Sequence, residues 1–349
     1  MSLDFDHMSP GRLFTKMFFP TLLGMFSGSV MNITDGMFVG QRVGSDALAA
    51  INIAAPVFML VTGIALMFGI GASVRASISL AQGRTKEANR EITTSLLVAV
   101  AVVTLLSAII LLNLDTMAYL FGSTDRLLPL VKEYMLWVTV GMPASCVLFA
   151  GMFYVRLDGA PKFAMWCEII GAGLNIVLDY IFIYPLDMGI MGAAIASSLS
   201  CLVGALLIMG YLIFFTKRIQ LCSLRAAFGR GTRWLQTTWQ QVKLGLSGFL
   251  GEVAISLMLV LGNYVFGSLL GESGVAAYSI ACYCSPLFFM INNAIAQSAQ
   301  PIISYDYGAR RWERVRHTLR LVLTVAIVCS VAMTTLIIFL TMFQRNDSP

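Results

Sequence analysis

Two polar side chains interrupt one of the most apolar stretches of the chain. Residues 171–185 read GAGLNIVLDYIFIYP, with Asn175 and Asp179 set among apolar and aromatic neighbours. Four residues apart, they share one face of a helix, one turn from each other. A carboxylate inside an apolar helix is expensive where it faces lipid, so such groups face a bundle interior or an aqueous cavity, where ions, protons or substrates are handled. Asp35 stands near the end of the first apolar segment, Glu168 near the start of the segment holding Asp179, and Glu252 about eight residues into a later one. Asn292, Asn293 and Gln297 add amides to the segment after that. Gln297 and the two asparagines can line a cavity or bond between helices, and Glu168 can reach water or pair with Arg75 or Lys162.

These groups need helices long enough to hold them inside a membrane. The chain is 58% hydrophobic and only 12% charged, against roughly 25% charged in a soluble domain. Its mean hydropathy is +0.81. The expected solvent is therefore lipid, and the expected fold is all-α and polytopic. Nine segments of spanning length fall at about 13–38, 47–75, 93–113, 128–154, 163–184, 189–215, 244–266, 275–300 and 318–343. The first is long and glycine-rich, with no cleavage site after a short apolar core, and is expected to stay in the protein. Of the 23 Lys and Arg, an N-terminus placed inside leaves only Arg42, Arg126, Lys132 and Arg345 outside. That asymmetry is the positive-inside pattern, and it supports both the orientation and the number of spans. The net charge of +5 is explained by this placement and calls for no nucleic acid. The connection from Lys217 to Lys243 is basic and holds Trp234 and Trp239, so it reads as a membrane-surface segment or a solvated loop.

An internal repeat divides the chain. Residues 40–54 (GQRVGSDALAAINIA) and 267–281 (GSLLGESGVAAYSIA) align at an offset of 227, sharing Gly40/Gly267, Gly44/Gly271, Ala49/Ala276, Ala50/Ala277, Ile53/Ile280 and Ala54/Ala281. Six spans separate the copies, so both run the same way through the membrane, as in parallel repeats about an axis along the membrane normal. The expected organisation is a six-helix lobe over 1–216, a basic connection over 217–243, and the first three helices of a second, incomplete lobe over 244–349.

Other chemistry finds little support. The seven cysteines lie mostly inside apolar segments at spacings that match no zinc pattern. There is no His-Glu-x-x-His and no GxxxxGK[ST], and the two histidines, His7 and His317, lie at or beyond span ends. An enzyme is not expected. Pro20, Pro56, Pro143 and Pro286 fall in or near spans, where they act as hinges or packing irregularities.

Four stretches in order resemble the multidrug and toxic compound extrusion family of secondary transporters. They are Asp35-Gly-Met-Phe-Val-Gly40, Asn175-x-x-x-Asp179, Gly192-Ala-Ala-Ile-Ala-Ser197 and Gln300-Pro-Ile-Ile-Ser-Tyr-Asp-Tyr-Gly308. The resemblance covers essentially the whole chain, although the family has twelve helices in two lobes. It implies a coupling-ion site made of Asp35, Asn175, Asp179 and Ser197, which takes a proton or, in a sodium-coupled member, holds Na+ on those oxygens. It implies no cofactor beyond that ion. The residues agree in part: Asp35 and Asp179 sit at similar depth in the outer half, and two carboxylates close together in low dielectric do not both ionise freely. Glu252, Gln297, Asn292, Asn293 and Glu168 are the substrate-cavity candidates. The implied function is export of organic cations and drugs in exchange for H+ or Na+, by a monomer in the bacterial inner membrane with its N-terminus in the cytoplasm. The alternatives are a flippase for lipid-linked glycans, which would need cationic groups in its cavity to hold a diphosphate where no Lys or Arg stands in mid-span, and a non-functional fragment of a transporter.

Overall fold

The computed structural model describes residues 3–229 and 231–346, with side chains described except at 259–260, 262–264, 266–288 and 336–346. The second repeat copy at 267–281, Cys282, Cys284 and Pro286 thus lie outside the described side chains. Every regular element among the described residues is a helix. The long ones are α1 (Pro10–Arg42), α2 (Ser45–Ala81), α3 (Thr85–Leu112), α5 (Leu128–Leu157), α6 (Pro161–Ile183), α7 (Gly189–Phe214), α9 (Arg233–Gly308) and α10 (Trp312–Asn346). Two short helices, α4 (Leu114–Leu120) and α8 (Leu224–Phe228), were not expected from the sequence. Prolines at the first turns of α1, α5 and α6 start those helices where a missing N–H costs nothing. Gly44, at φ 107°, makes the tight turn into α2 that a Cβ would oppose. Pro20, Pro56 and Pro143 lie inside helices that continue through them.

Six of these helices are long and apolar enough to cross a membrane: Ser45–Ala81, Thr85–Leu112, Leu128–Leu157, Pro161–Ile183, Gly189–Phe214 and the Trp312–Thr335 part of α10. The sequence expects nine spans. The first falls on α1, which is diluted by Gly24, Ser27, Gly28, Ser29, Asn32, Thr34 and Asp35. Two more, 244–266 and 275–300, fall together in α9, whose helical hydrogen bonding is unbroken over 76 residues. A straight helix that long would extend about 114 Å. It is not straight, because the two ends of α9 meet the same part of α2. A Cβ on Gly71 would run into the backbone of Gln241, while Ser73, two residues on, donates to Gln300 Oε1 at 3.3 Å. The first limb runs antiparallel to α2, with Gly248 against Ile70, Phe249 against Gly63, and Ser256 bonded to Met59 Sδ at 2.8 Å. The second limb returns parallel to it, with Ser77 donating to Pro301 O at 3.1 Å and Gln82 to Gly308 O at 3.4 Å. The chain therefore reverses within α9, although neither limb is among the six candidate spans of the described residues. Ser73 and Gln300 are 227 residues apart, the same spacing as the repeat offset read from the sequence.

The turns α2–α3, α5–α6 and α9–α10, the start of α1, and the α7–α9 connection gather at one end, termed here the basic end. The connection does not lie free: Lys217, Arg218 and Ile219 donate their backbone N–H groups to Asp158, the residue that caps α5. Residues 3–8 run between Gly159 on one side and Tyr305, Arg311 and Arg314 on the other. Phe5 is buried there against Tyr305.

Candidate functional site

The site is built by α1 packed beside α6, two helices running the same way. One stripe of α1, Phe19, Leu23, Phe26, Val30, Ile33 and Met37, is exposed along its length, as a lipid-facing surface is. Asp35 lies two residues from both Ile33 and Met37, about 160° around the helix from that stripe. On α6, Trp166, Ile170, Val177 and Ile181 form the exposed stripe, while Asn175 and Asp179 are completely buried. The polar groups therefore face inward on both helices.

The register of the pair is consistent along its length. Gly24 lies so close to Glu168 that a Cβ would strike the carboxylate. Farther on, Tyr184 Oη donates to Gln41 Oε1 at 3.4 Å and Arg42 bonds Asp187 at 3.1 Å, separations of 143 and 145 residues. Phe38 packs on Tyr180 and Tyr184 between them. At the same spacing, Asp35 falls level with Asp179. Asp35 and Asp179 each keep a buried Oδ1 with no hydrogen-bond partner among the described residues. Asn175 is set between Asp179 and Ser197 of α7. With Nδ2 turned to Asp179, it donates to Oδ2 at 3.1 Å while its oxygen accepts from Ser197 Oγ at 3.3 Å. That orientation is the consistent one, because an ionised carboxylate offers no hydrogen to an amide oxygen. The four residues expected to act together are thus brought together. Sequence reasoning missed Tyr134 of α5, whose phenol lies near enough to feel both carboxylates; an isolated Tyr in an apolar segment carries no signal of this kind. The arrangement offers two carboxylates, an amide and a hydroxyl, which is hard-oxygen chemistry suited to a proton or an alkali cation.

The cavity candidates divide. Glu168 pairs not with Arg75 or Lys162 but with Arg156, Nη2 to Oε1 at 3.2 Å; Arg75 is taken by Glu91 of α3 at 2.7 Å. Arg156 occupies the last turn of α5, where the sequence places it in solvent, yet it is only 2% exposed. Its Nη1 donates to Gln297 Oε1, and Gln297 Nε2 donates to Asn293 Oδ1 at 3.3 Å. Glu168, Gln297 and Asn293 therefore form one polar chain through Arg156, spanning α6, α5 and the second limb of α9. Asn292, next in sequence, lies on the exposed side of α9. Glu252 stands apart, on the first limb of α9 against Gly63 of α2. The aromatic and methionine run Met152, Phe153, Tyr154 is core, and Phe289 is exposed.

An all-helical bundle with lipid-facing stripes and inward carboxylates defines a multi-pass membrane protein that handles ions or solutes. Comparison with known proteins gives the family. The MatE family profile matches residues 20–181 and 249–343, and the chain belongs to that family of transporters; it is not an enzyme. An FAD transporter of Shewanella oneidensis is 28% identical over 327 residues, covering 91% of this chain and 70% of that protein. The multidrug export protein MepA of Staphylococcus aureus strain N315 is 24% identical over 326 residues, with the same shares of 91% and 70%. Among solved structures, MATE in the straight conformation superposes with a TM-score of 0.87 at 25% identity, covering 95% of this chain and 73% of the other. An outward-facing multidrug resistance MATE transporter of the MOP superfamily gives 0.86 at 26% identity, covering 95% and 72%.

Proposed function

We propose that the protein is a cation-coupled antiporter that exports small organic molecules, organic cations among them, across a bacterial inner membrane, with its basic end in the cytoplasm. Residues 1–216 act as one lobe and 244–349 belong to the other, joined by 217–243, and the passage between them opens alternately to either side. Asp35, Asn175, Asp179 and Ser197 take the coupling ion, a proton or Na+. The observation that carries this reading is the α1–α6 register, which sets two carboxylates level with each other, each with a buried oxygen left without a partner. Such oxygens are costly to leave unmet, and an incoming cation meets them. Ion and substrate then drive each other out because each favours a different state of the passage. The relative named MepA supports a drug-like cargo, while the one named an FAD transporter makes an anionic cargo compatible with the same fold. The glycan-flippase alternative needs a set of cationic groups; among the described residues the one buried guanidinium, Arg156, has its charge compensated by Glu168.

The test is uptake of ethidium into proteoliposomes holding the full chain, with a pH gradient and a sodium gradient imposed separately. Asp179→Asn and Asp35→Asn should abolish the response to whichever gradient drives the parent. A gradient response of parental size in Asp179→Asn would overturn the assignment.

A further inference from the structure

The buried pair Arg156–Glu168 is not used by the ion site. Arg156 is 2% exposed. It gives Nη2 to Glu168 and Nη1 to Gln297, and among the described residues neither its Nε nor Glu168 Oε2 has a partner. The Nε is a donor in reserve, whereas Oε2 is the oxygen packed against Gly24. Gly24 closes the wall behind Glu168, where any Cβ would collide with the carboxylate. The remaining wall is Gln297, and it stands on α9, on the far side of the passage in the two-lobe reading.

We infer that Arg156 and Glu168 form a second, substrate-selecting station in the basic half of the passage, and that it accepts molecules carrying both a cationic nitrogen group and a carboxylate. The inference rests on the transport reading. When the lobes part at the basic end, Gln297 withdraws from Arg156. The guanidinium then faces the opening with Nη1 vacated and Nε idle, while Glu168 keeps Oε2 against Gly24 and offers Oε1, the oxygen it shares with Arg156. A molecule with a single charge, entering here, displaces one partner of the pair and leaves the other buried and uncompensated, the costly outcome for any buried ion pair. A zwitterion supplies both charges: its carboxylate takes the guanidinium, with the fork geometry that suits that pairing, and its cation takes the Glu168 carboxylate. The net charge of the site is zero before and after. Phe153, whose ring lies 5.8 Å from the Arg156 carbon, keeps the guanidinium in place during the exchange.

Two dyes that differ by one ester test this. Rhodamine 110 carries a free carboxylate beside its delocalised cation; rhodamine 123 is its methyl ester and carries the cation alone. Binding of each to the full chain in nanodiscs is read by fluorescence polarisation. The parent should prefer rhodamine 110 by about tenfold, equivalent to one buried charge pairing of modest strength. The double variant R156Q/E168Q, which removes both charges and orphans neither, should bring the ratio close to one. Gln297→Ala, which frees Nη1 without touching the charges, should raise the ratio, and it keeps the test open if the double variant does not fold. Equal binding of the two dyes by the parent, or a preference that survives in R156Q/E168Q, would overturn the inference. Neither result touches the gradient response of Asp179→Asn, so the two readings fail separately.

Discussion

Removing the carboxylate of Asp158 should free residues 217–219, which it anchors. Asp158 is completely buried and accepts four donors: Tyr211 Oη at 2.7 Å, Arg218 N at 2.6 Å, Lys217 N at 3.0 Å and Ile219 N at 3.1 Å. A hydrogen bond to a charged group contributes roughly 1.5–3 kcal/mol, and a buried donor left without a partner costs roughly 1–3 kcal/mol. In Asp158→Ala the space of the lost side chain admits water to some of the four, so about two donors stay unmet. The expected local loss is about 4 kcal/mol, with about half as much for Asp158→Asn, which keeps one acceptor oxygen. A loss of about 4 kcal/mol is a factor of about a thousand in an opening equilibrium. Amide hydrogen exchange at residues 217–219 in detergent-solubilised protein should therefore accelerate about a thousandfold in Asp158→Ala and much less in Asp158→Asn. Exchange within threefold of the parent in Asp158→Ala would show that the connection is held by something other than this carboxylate.

Gly24→Ala should lower stability by about 2 kcal/mol, the usual cost of a forced methyl in a packed site, and should cost less in a Glu168→Ala background, where the carboxylate it strikes is gone although Arg156 then lacks its counter-charge; thermal melting of the two variants and their combination measures the coupling. Asp6 binds Arg311 at 2.9 Å, with both side chains more than a third exposed, so Asp6→Asn should loosen residues 3–8 by no more than about 1 kcal/mol, seen as a two- to fivefold rise in thiol labelling of a Phe5→Cys variant. The exposed Asp4 carboxyl is held below the usual carboxylate range, first by its hydrogen bond from the His7 ring at 2.8 Å. Its pKa being depressed in the folded chain, that interaction is complete above the ordinary carboxylate value and is lost as pH falls through the lowered one. NMR titration should place the Asp4 midpoint below that of an unstructured aspartate, and His7→Ala should raise it.

The inward face of α6 was legible because a helix of period 3.6 leaves no choice: Asn175 and Asp179 share a face, and burial of one entails burial of the other. The polar alternation that places lipid on Ile33 and Met37 puts Asp35 away from it by the same arithmetic. What the sequence did not reveal is which helix rotation brings which partners together. Glu168 pairs with Arg156 rather than Arg75 or Lys162, and Arg75 with Glu91, because partners across helices depend on azimuth and not on depth. Depth alone made all three candidates equal. A signal for Arg156 did exist, in that it closes an almost wholly apolar run, Phe149–Leu157, and a lone cation inside such a run needs a buried counter-charge. The sequence divides 244–300 into two spans, whereas α9 stays one unbroken helix that turns back on α2, since the connection carries no proline and its glycines did not end the helical bonding. Lys217–Ile219 looked like loop because a charged surface sequence and one anchored by its backbone read alike; only the backbone N–H groups touch Asp158.

The two proposed stations share one helix face. Glu168 precedes Asp179 by eleven residues, which is three turns and about 16 Å along α6, with an azimuth difference of only about 20°. Opposite them on α1, Gly24 precedes Asp35 by the same eleven residues. Because α1 and α6 run parallel with a constant register, α1 cannot shift along or rotate against α6 at one station without moving at the other. A displacement that draws Asp35 from Asp179 also takes the Gly24 backbone from Glu168, and so loosens the wall that presses Glu168 toward Arg156. On the proposed reading, an ion at one end and a substrate at the other need not touch to affect each other: both would act on the same pair of packed helices, whose side chains fit in discrete registers rather than over a continuous range. Locking that pair tests the point. A cysteine pair at Gln41→Cys and Tyr184→Cys, outside both stations and joined by a short bis-methanethiosulfonate cross-linker that fills the gap left by the longer native side chains, should make the rhodamine 110 to rhodamine 123 ratio insensitive to the ion that drives uptake, whereas in the uncross-linked protein the ratio should change as that ion is added. A ratio that responds equally in both forms would mean that the stations communicate by another route than the α1–α6 contact.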